Sequence, residues 1–434
     1  MSVSGVPQEA PTEATPSADR RQRRRAVLAA AVGTLLEYYD YYLYGLASAV
    51  VFPKLFFPSG DPVVSQLLSF ATFAVGFILR PLGGIVLGHI ADRVGRRPVL
   101  IFTIVTMGIA STLIGLLPTY AQIGVLAPIL LIVLRLVQGF STGGEIGGAA
   151  SLAVENAPPR RRGLYGSLLL AGAGVALFVS SGLMNGASAL PGDAFLTWAW
   201  RVPFLLSVVL LVGGLLIRRG VHETPVFTAN KDKSRAPLLE VLRRPRMWVF
   251  GILFGFANSI GGYVLTVYGP SYLQGRHVSA TVALSAVQVA SAFEIVLAPT
   301  WGWLSDRYGR RPMFLVPCVG LAVLIFPIFW LWNTGNPVLV FAGMVLGFSV
   351  CVIGMSALSQ TILSELFSTS ARTTGISVGY QFTAVFAGGF APLIATAIGT
   401  APGVAVYLII ACVLSAVAML LLPERSRADL ATID

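Results

Sequence analysis

Charge is what this sequence has least of. Of 434 residues, 11% are charged and 55% are hydrophobic, where a soluble domain carries about 25% charged residues. A soluble core of this size needs a charged shell, and too few charges exist to build one, so the apolar side chains face lipid. Cysteine and histidine are also scarce. Cys318, Cys351 and Cys412 fall inside apolar runs with neither disulfide nor zinc spacing, and His89, His222 and His277 are scattered. No metal site and no cofactor are therefore expected. No HExxH, G-x-S-x-G or phosphate-loop motif occurs, which argues against a membrane-embedded enzyme. A cleaved signal peptide is not expected either. The basic run Arg20–Arg25 is followed by an apolar stretch that Glu37 and Asp40 interrupt, with no small-residue cleavage site to close it.

What is abundant is apolar length and glycine. A spanning helix needs roughly 20 mostly apolar residues, and twelve such stretches can be laid out. They cover about 26–51, 66–90, 99–118, 123–151, 163–188, 200–217, 248–272, 281–304, 313–332, 338–364, 373–398 and 402–422. The 46 glycines fit this reading, because glycine lets membrane helices approach closely. The formal charge of +11 would suggest nucleic acid in a soluble protein. Here the basic residues sit in particular loops, so the expected partners are the lipid bilayer, a small-molecule substrate and protons, with no nucleic acid. Of the 30 lysines and arginines, 25 fall on the N-terminal tail and alternate connections, three (Lys54, Arg201, Arg276) on the opposite ones, and two (Arg80, Arg135) within helices. The positive-inside rule then places both termini in the cytoplasm of a multi-pass protein of the cell (inner) membrane.

The predicted organisation has five parts. Residues 1–25 form a basic cytoplasmic tail, disordered by composition over 1–19. Residues 26–217 and 248–422 form two six-helix bundles, 218–247 a cytoplasmic linker, and 423–434 a short tail. The halves repeat one another. Gly88-His-Ile-Ala-Asp92-Arg93-Val-Gly95-Arg96-Arg97-Pro98 returns as Gly302-Trp-Leu-Ser-Asp306-Arg307-Tyr-Gly309-Arg310-Arg311-Pro312, identical at seven of eleven positions and 214 residues away. Glu155 precedes Arg162 as Glu365 precedes Arg372, with an offset of 210. Random basic loops do not give two matched motifs at nearly equal offsets.

At these residues the chain resembles the major facilitator superfamily, whose loop signature is Gly-x-x-x-Asp-Arg-x-Gly-Arg-Arg. Six further segments resemble the metabolite:proton symporters within it. They are Arg80-Pro81-Leu82-Gly83-Gly84, Arg135-x-x-Gln138-Gly139, Gly143-Gly144-Glu145-x-Gly147-Gly148, Trp200-Arg201-Val-Pro203-Phe204, Glu223-Thr-Pro225-Val-Phe227 and Glu365-Leu-Phe367. The resemblance runs from about 30 to 425. It implies an all-α fold of twelve helices in two pseudo-symmetric bundles, and transport by alternating access. Two departures stand out. Glu37-Tyr38-Tyr39-Asp40-Tyr41 replaces the usual Glu-Trp-Tyr-Asp-Phe, and helix five lacks a glutamine near Leu169 or Leu170.

A charge near the bilayer centre costs about 2.5–3.5 kcal/mol on insertion scales, so each such residue is a candidate for function. Helical spacing puts Glu37, Asp40, Tyr41 and Tyr44 on one face of helix one, where the carboxyls suit proton coupling. Glu294, mid-way along helix eight, is a third proton candidate. Arg135 and Arg80 are candidates to bind a carboxylate, because a guanidinium stays charged and can grip with two parallel hydrogen bonds. Asn258 and Tyr263 in helix seven, where the Gly261–Gly262 pair is expected to break the helix, and Tyr380 and Gln381 in helix eleven complete the predicted substrate set. A gating set comes from the repeats: Gly88, Asp92, Arg93, Gly95, Arg96, Arg97, Glu155 and Arg162 in one half, and Gly302, Asp306, Arg307, Gly309, Arg310, Arg311, Glu365 and Arg372 in the other. The aspartates argue for gating, since topology needs only the basic residues. Glu145, ten residues and about 15 Å beyond Arg135, joins this set rather than the binding site.

The function expected is proton-coupled symport of a mono- or dicarboxylate by a monomer. A zwitterion such as proline or betaine is the alternative within the same family. Osmosensory members of that type carry a long C-terminal coiled coil, whereas this sequence ends about twelve residues after helix twelve without heptads. A drug:proton antiporter is disfavoured, because helix five contains no proline.

Overall fold

The computed structural model describes residues 35, 38–94, 96–143, 154, 157–219, 245–367 and 372–424. Helix α1 is seen over 38–50. It is followed by α2 (Pro62–Ile90), α3 (Arg96–Leu116), α4 (Leu126–Thr142), α5 (Arg162–Ser188) and α6 (Phe195–Leu215). The second half contains α7 (Met247–Gly275), α8 (Ala280–Tyr308), α9 (Arg310–Asn333), α10 (Pro337–Leu366), α11 (Thr374–Ile398) and α12 (Ala401–Leu421). Among the described residues, nine of these are long and apolar enough to cross a membrane, and the apolar stretches of α3 and α4 are shorter. The fold is all-helical, with two groups of six.

Helix ends follow local chemistry. Asp61, Ser279 and Asn336 accept hydrogen bonds from the first free backbone N–H groups of α2, α8 and α10. Helix α2 is jointed at Leu79, just before Arg80-Pro81, where proline removes a backbone donor. The Gly261–Gly262 pair does not break α7. Instead the helix widens into a π-helical stretch over Val264–Tyr268, and similar stretches occur at Val345–Val352 in α10 and Ala384–Gly389 in α11. Wider turns keep backbone groups bonded inside the membrane, which an open break would not.

The paired eleven-residue motifs are not loops, as the hydropathy reading places them. Helical structure runs on to Val94 and to Tyr308, and the next helices begin at Arg96 and Arg310. Gly309 makes its turn at φ +99, a conformation that disfavours a side chain.

Two backbone contacts set the packing. Helices α2 and α4 touch through glycine: a Cβ on Gly139 would lie 2.0 Å from the Gly76 carbonyl oxygen, and one on Gly83 would lie 1.9 Å from the Phe140 oxygen. Between the halves, α5 and α8 make the most extensive contact of the fold. There a Cβ on either Gly163 or Gly302 would lie 2.5 Å from the other's carbonyl oxygen. The small-residue spacing around Gly139 and Gly143 thus serves close helix approach.

Gly139→Ala should therefore force α2 and α4 apart and destabilise the protein by roughly 1–3 kcal/mol. Gly186→Ala, where nothing lies within 4 Å, should not. Thermal unfolding of the two variants in detergent, followed by size-exclusion chromatography, checks this.

Candidate transport site and the seam between the halves

Helix α1 presents successive residues to different surroundings. Tyr41 and Tyr44 turn toward Arg135, whose guanidinium carbon lies 5.0 and 4.1 Å from their ring centres. Asp40, one residue and thus about 100° around the helix from Tyr41, points instead into the space between α3 and α6. It accepts a hydrogen bond from the Ser207 hydroxyl at 2.7 Å, and the Ser111 side chain lies beside it. The expectation that Asp40 shares a cavity face with both tyrosines is corrected here: its carboxyl is buried behind that face.

It is nevertheless wired to Arg135. Arg135 Nη1 donates to Gln138 Oε1 at 3.1 Å, and Gln138 Nε2 donates to Ser111 Oγ at 2.7 Å. Ser111 in turn lies beside Asp40. Both hydrogen bonds run from the cation toward the carboxyl, so neutral polar groups occupy the space between Arg135 and Asp40. The remaining guanidinium nitrogens, Nε and Nη2, have no hydrogen-bond partner among the described residues. They share the edge that can grip a carboxylate with two parallel bonds. Gly76 makes room for this side chain, since a Cβ there would lie 2.3 Å from Nε.

Arg80 stacks on Tyr41 and Phe77, 4.5 and 4.6 Å from their ring centres. Tyr41 thus lies between two guanidiniums, and Phe73 sits 5.3 Å from Arg135. Tyr263 of α7 closes the box edge-on against Tyr41, Phe73 and Phe77. Aromatic faces favour a desolvated cation, which lets both arginines stay charged at 4% and 2% exposure. Around this box, Tyr44 bonds Thr72 at 2.8 Å, Tyr380 bonds Tyr38 at 2.5 Å across the halves, and Gln381 donates to the Gly143 oxygen at 3.4 Å. Asn258 is half-buried on α7 with its Oδ1 unbonded among the described residues. Glu294 is fully buried on α8, apart from the Arg135 relay. Glu37, Gly95, Glu145 and Glu155 lie outside the described residues, as do the side chains of Asp92, Arg96, Arg97 and Arg372.

The second cluster lies at the motif-bearing end of the α5–α8 contact. Asp306 on α8 accepts from the backbone N–H groups of Gly163 and Leu164, at 2.8 and 2.9 Å, at the start of α5. A carboxylate suits this place, where free N–H groups and the helix dipole converge. Arg310, 2% exposed, donates to Asp306 at 2.8 Å, to Ser305 at 2.6 Å and to Glu365 at 3.0 Å. Glu424 accepts from the backbone N–H of Arg310 at 2.8 Å, and Arg311 donates to the Leu422 oxygen at 2.8 Å. Arg162 is buried beside this cluster, and its carbonyl accepts from Thr361. Arg93 and Arg307 are exposed. The repeat is asymmetric in packing: Gly302 is pressed against Gly163 and Ser167, whereas around Gly88 nothing lies within 4 Å among the described residues.

The family model for the Major Facilitator Superfamily matches residues 30–388 and 291–432. The chain belongs to that superfamily. It is 37% identical to the shikimate transporter of Escherichia coli (strain K12), over 96% of this chain and 98% of the relative. It is 39% identical to an inner membrane metabolite transport protein of the same strain, covering 85% and 86%. It is 35% identical to the proline/betaine transporter of that organism, covering 85% and 77%. Among solved structures it resembles a D-xylose-proton symporter with a TM-score of 0.73 at 18% identity, covering 92% and 98% of the two chains. This facilitator is accordingly a multi-pass membrane transporter and not an enzyme.

Sequence reasoning overlooked Ser111, Ser207, Gly76, Phe73 and Phe77 as site residues. The signal for the serines was present, as hydroxyls inside strongly apolar helices, but it is shared by many serines that bond only their own helix. In the seam, Asp306→Asn keeps one acceptor oxygen but loses the charge held against the α5 N-terminus and Arg310. It should lower the maximum transport rate several-fold and change the substrate dissociation constant much less. Measuring initial uptake rates alongside equilibrium binding decides this, and a large loss of affinity at unchanged maximum rate would count against a gating role.

Proposed function

We propose that this facilitator imports a small organic carboxylate together with protons, with its motif-bearing end in the cytoplasm. The observation that carries this reading is the line of polar groups from Arg135 through Gln138 to Ser111, with Asp40 beside its far end. In the resting protein, the Asp40 carboxylate compensates the buried guanidinium at a distance. Protonating Asp40 removes that compensation and leaves Arg135 short of negative charge, with its Nε/Nη2 edge available. A substrate carboxylate then supplies the missing charge. Proton and anion favour each other's binding, which is the linkage a symporter needs. The same pairing answers the membrane potential. An anion entering an inside-negative cell is opposed by about 2.3 kcal/mol per 100 mV, and one accompanying proton cancels that term.

The aromatic box suits a substrate with a ring or a compact apolar face beside its carboxylate. The shikimate transporter at 37% identity supports testing shikimate, a ring-bearing carboxylate, first. The Asp306 clasp supplies the gate in this reading: it holds the cytoplasmic ends of α5 and α8 together and must part when that side opens, as alternating access requires. The proline/betaine relative at 35% identity supports a zwitterion as the second reading. Two buried arginines and no lysine at the box favour the anion.

The test is uptake into proteoliposomes under an imposed inward proton gradient, against a panel of carboxylates, proline and betaine. Asp40→Asn should abolish gradient-driven accumulation while leaving counterflow exchange measurable. Arg135→Lys should lower uptake at least tenfold, because lysine keeps the charge and loses the two-pronged geometry. Robust uptake of a zwitterion, no competition by carboxylates and normal transport by Arg135→Lys would together refute the proposal.

A further inference from the structure

Glu294 plays no part in the relay just described, yet it is the most isolated carboxyl among the described residues. It lies mid-way along α8 at 0% exposure, and both of its oxygens lack a hydrogen-bond partner there. An ionised carboxylate without hydrogen bonds in a dry interior is very costly, and such a group neutralises instead. Among the described residues its surroundings offer nothing to hold a charge. On α5 it packs against Gly174, where a Cβ would lie 2.9 Å from Glu294 Cγ and 3.1 Å from its Cδ. The α5 residues around that contact, Ala171 to Leu177, are glycines and aliphatics. On α10 the nearby polar group is Ser349, whose hydroxyl is already given to the Ala290 oxygen. The titratable group that faces it is the Tyr42 phenol of α1, which lies in turn near Tyr263 of α7 and Tyr380 of α11. The charged cluster of Arg162, Asp306, Arg310 and Glu365 begins twelve residues further along α8, about 18 Å away.

The position matters because the contact it occupies is clasped at both ends and bare in the middle. At the motif-bearing end Asp306 holds Gly163 and Leu164. At the opposite end Asn185 donates to Ser285 at 3.0 Å and Gln288 at 3.2 Å, and Ser188 bonds Thr281 at 3.1 Å. Glu294 sits between these clasps, sealed while both are closed. If either end of α5 and α8 parts, water can reach the space beside Gly174, and the carboxyl can then ionise.

We propose that Glu294 is a second proton site. It is neutral while the α5–α8 seam is shut and exchanges its proton when the seam opens, so that its proton crosses with the substrate in addition to that of Asp40. The step is a plain acid–base exchange: the O–H bond of the carboxyl breaks to water on the side that opens, and re-forms from water on the other. Tyr42 is the neighbouring hydroxyl able to relay it toward the central box. The inference rests on the symport reading above, and it adds a residue in the opposite half of the protein and a larger proton count.

The full-length protein in proteoliposomes tests this in two independent ways. Infrared difference spectroscopy at neutral pH should show the carbonyl stretch of a protonated, weakly hydrogen-bonded carboxylic acid. This band should vanish in Glu294→Gln and persist in Asp40→Asn. The reversal potential for shikimate, or for the panel carboxylate that is taken up, gives the proton-to-substrate ratio. Glu294→Gln should lower this ratio by one proton, and Glu294→Asp should restore it. An unchanged ratio in Glu294→Gln overturns the proposal even if the band is present, since the acid is then only a buried neutral group. Absence of the band in the wild-type protein also overturns it. If wild-type uptake shows no proton dependence while the band behaves as expected, the symport reading fails instead.

Discussion

A guanidinium cannot shed its charge, and this constraint organises the first half of the structure. Arg135 sits at 2% exposure in a membrane helix, where it needs stabilisation in every direction. Aromatic faces supply part, from Tyr41, Tyr44 and Phe73. In the proposed mechanism the Asp40 carboxylate, beyond Gln138 and Ser111, supplies the rest. Four helices are committed to this one side chain: α1 carries Asp40 and two tyrosines, α2 carries Phe73 and the space at Gly76, α3 carries Ser111, and α4 carries Arg135 and Gln138. The backbone contact of α2 with α4 is part of the same solution. Gly76 touches Arg135 on one side and Gly139 on the other, so the close helix approach and the seating of the arginine are a single packing event.

The second half uses charge differently. Arg310 is as deeply buried as Arg135, but it is paired directly with Asp306 and Glu365. A direct pair of this kind is strongly destabilised by removal of one partner, which suits a structural clasp. An indirect pair through neutral hydrogen bonds leaves part of the guanidinium available, which suits a site that must accept an incoming anion. In the proposed mechanism two buried arginines of equal exposure thus take opposite tasks, and the difference lies in whether the counter-charge touches them.

The helices were legible because hydropathy and length are properties of single segments. The stretch read as 163–188 is observed as Arg162–Ser188, and that read as 402–422 as Ala401–Leu421. Family membership was legible from the paired motifs. The packing of those motifs was not: Gly88 and Gly302 occupy the same place in the repeat, yet Gly302 is pressed onto another helix while nothing lies within 4 Å of Gly88 among the described residues. The direction of Asp40 was also hidden. Spacing assigns a residue to a face, but neighbours one position apart diverge, and which neighbour meets the cavity depends on how α1 is rotated against α3 and α6. Ser207, 167 residues from Asp40, could not be paired with it by any local rule.

The placement of the two buried acids follows from these differences. Asp40 is buried but accepts from the Ser207 hydroxyl, with Ser111 beside it, so either protonation state can be accommodated, and its charge is felt at Arg135. Glu294 is fully buried and bonded by nothing among the described residues, so its charged form has no support until the helices move. As proposed, the first acid is therefore sensitive to what occupies the binding site, and the second to whether the halves are together. A transporter needs both kinds of sensitivity, because protons must be tied to substrate binding and also to the change of access. With one acid in each half, and only the second lying on the contact that must open, chemistry and motion are coupled through different groups, and a change at one need not disable the other.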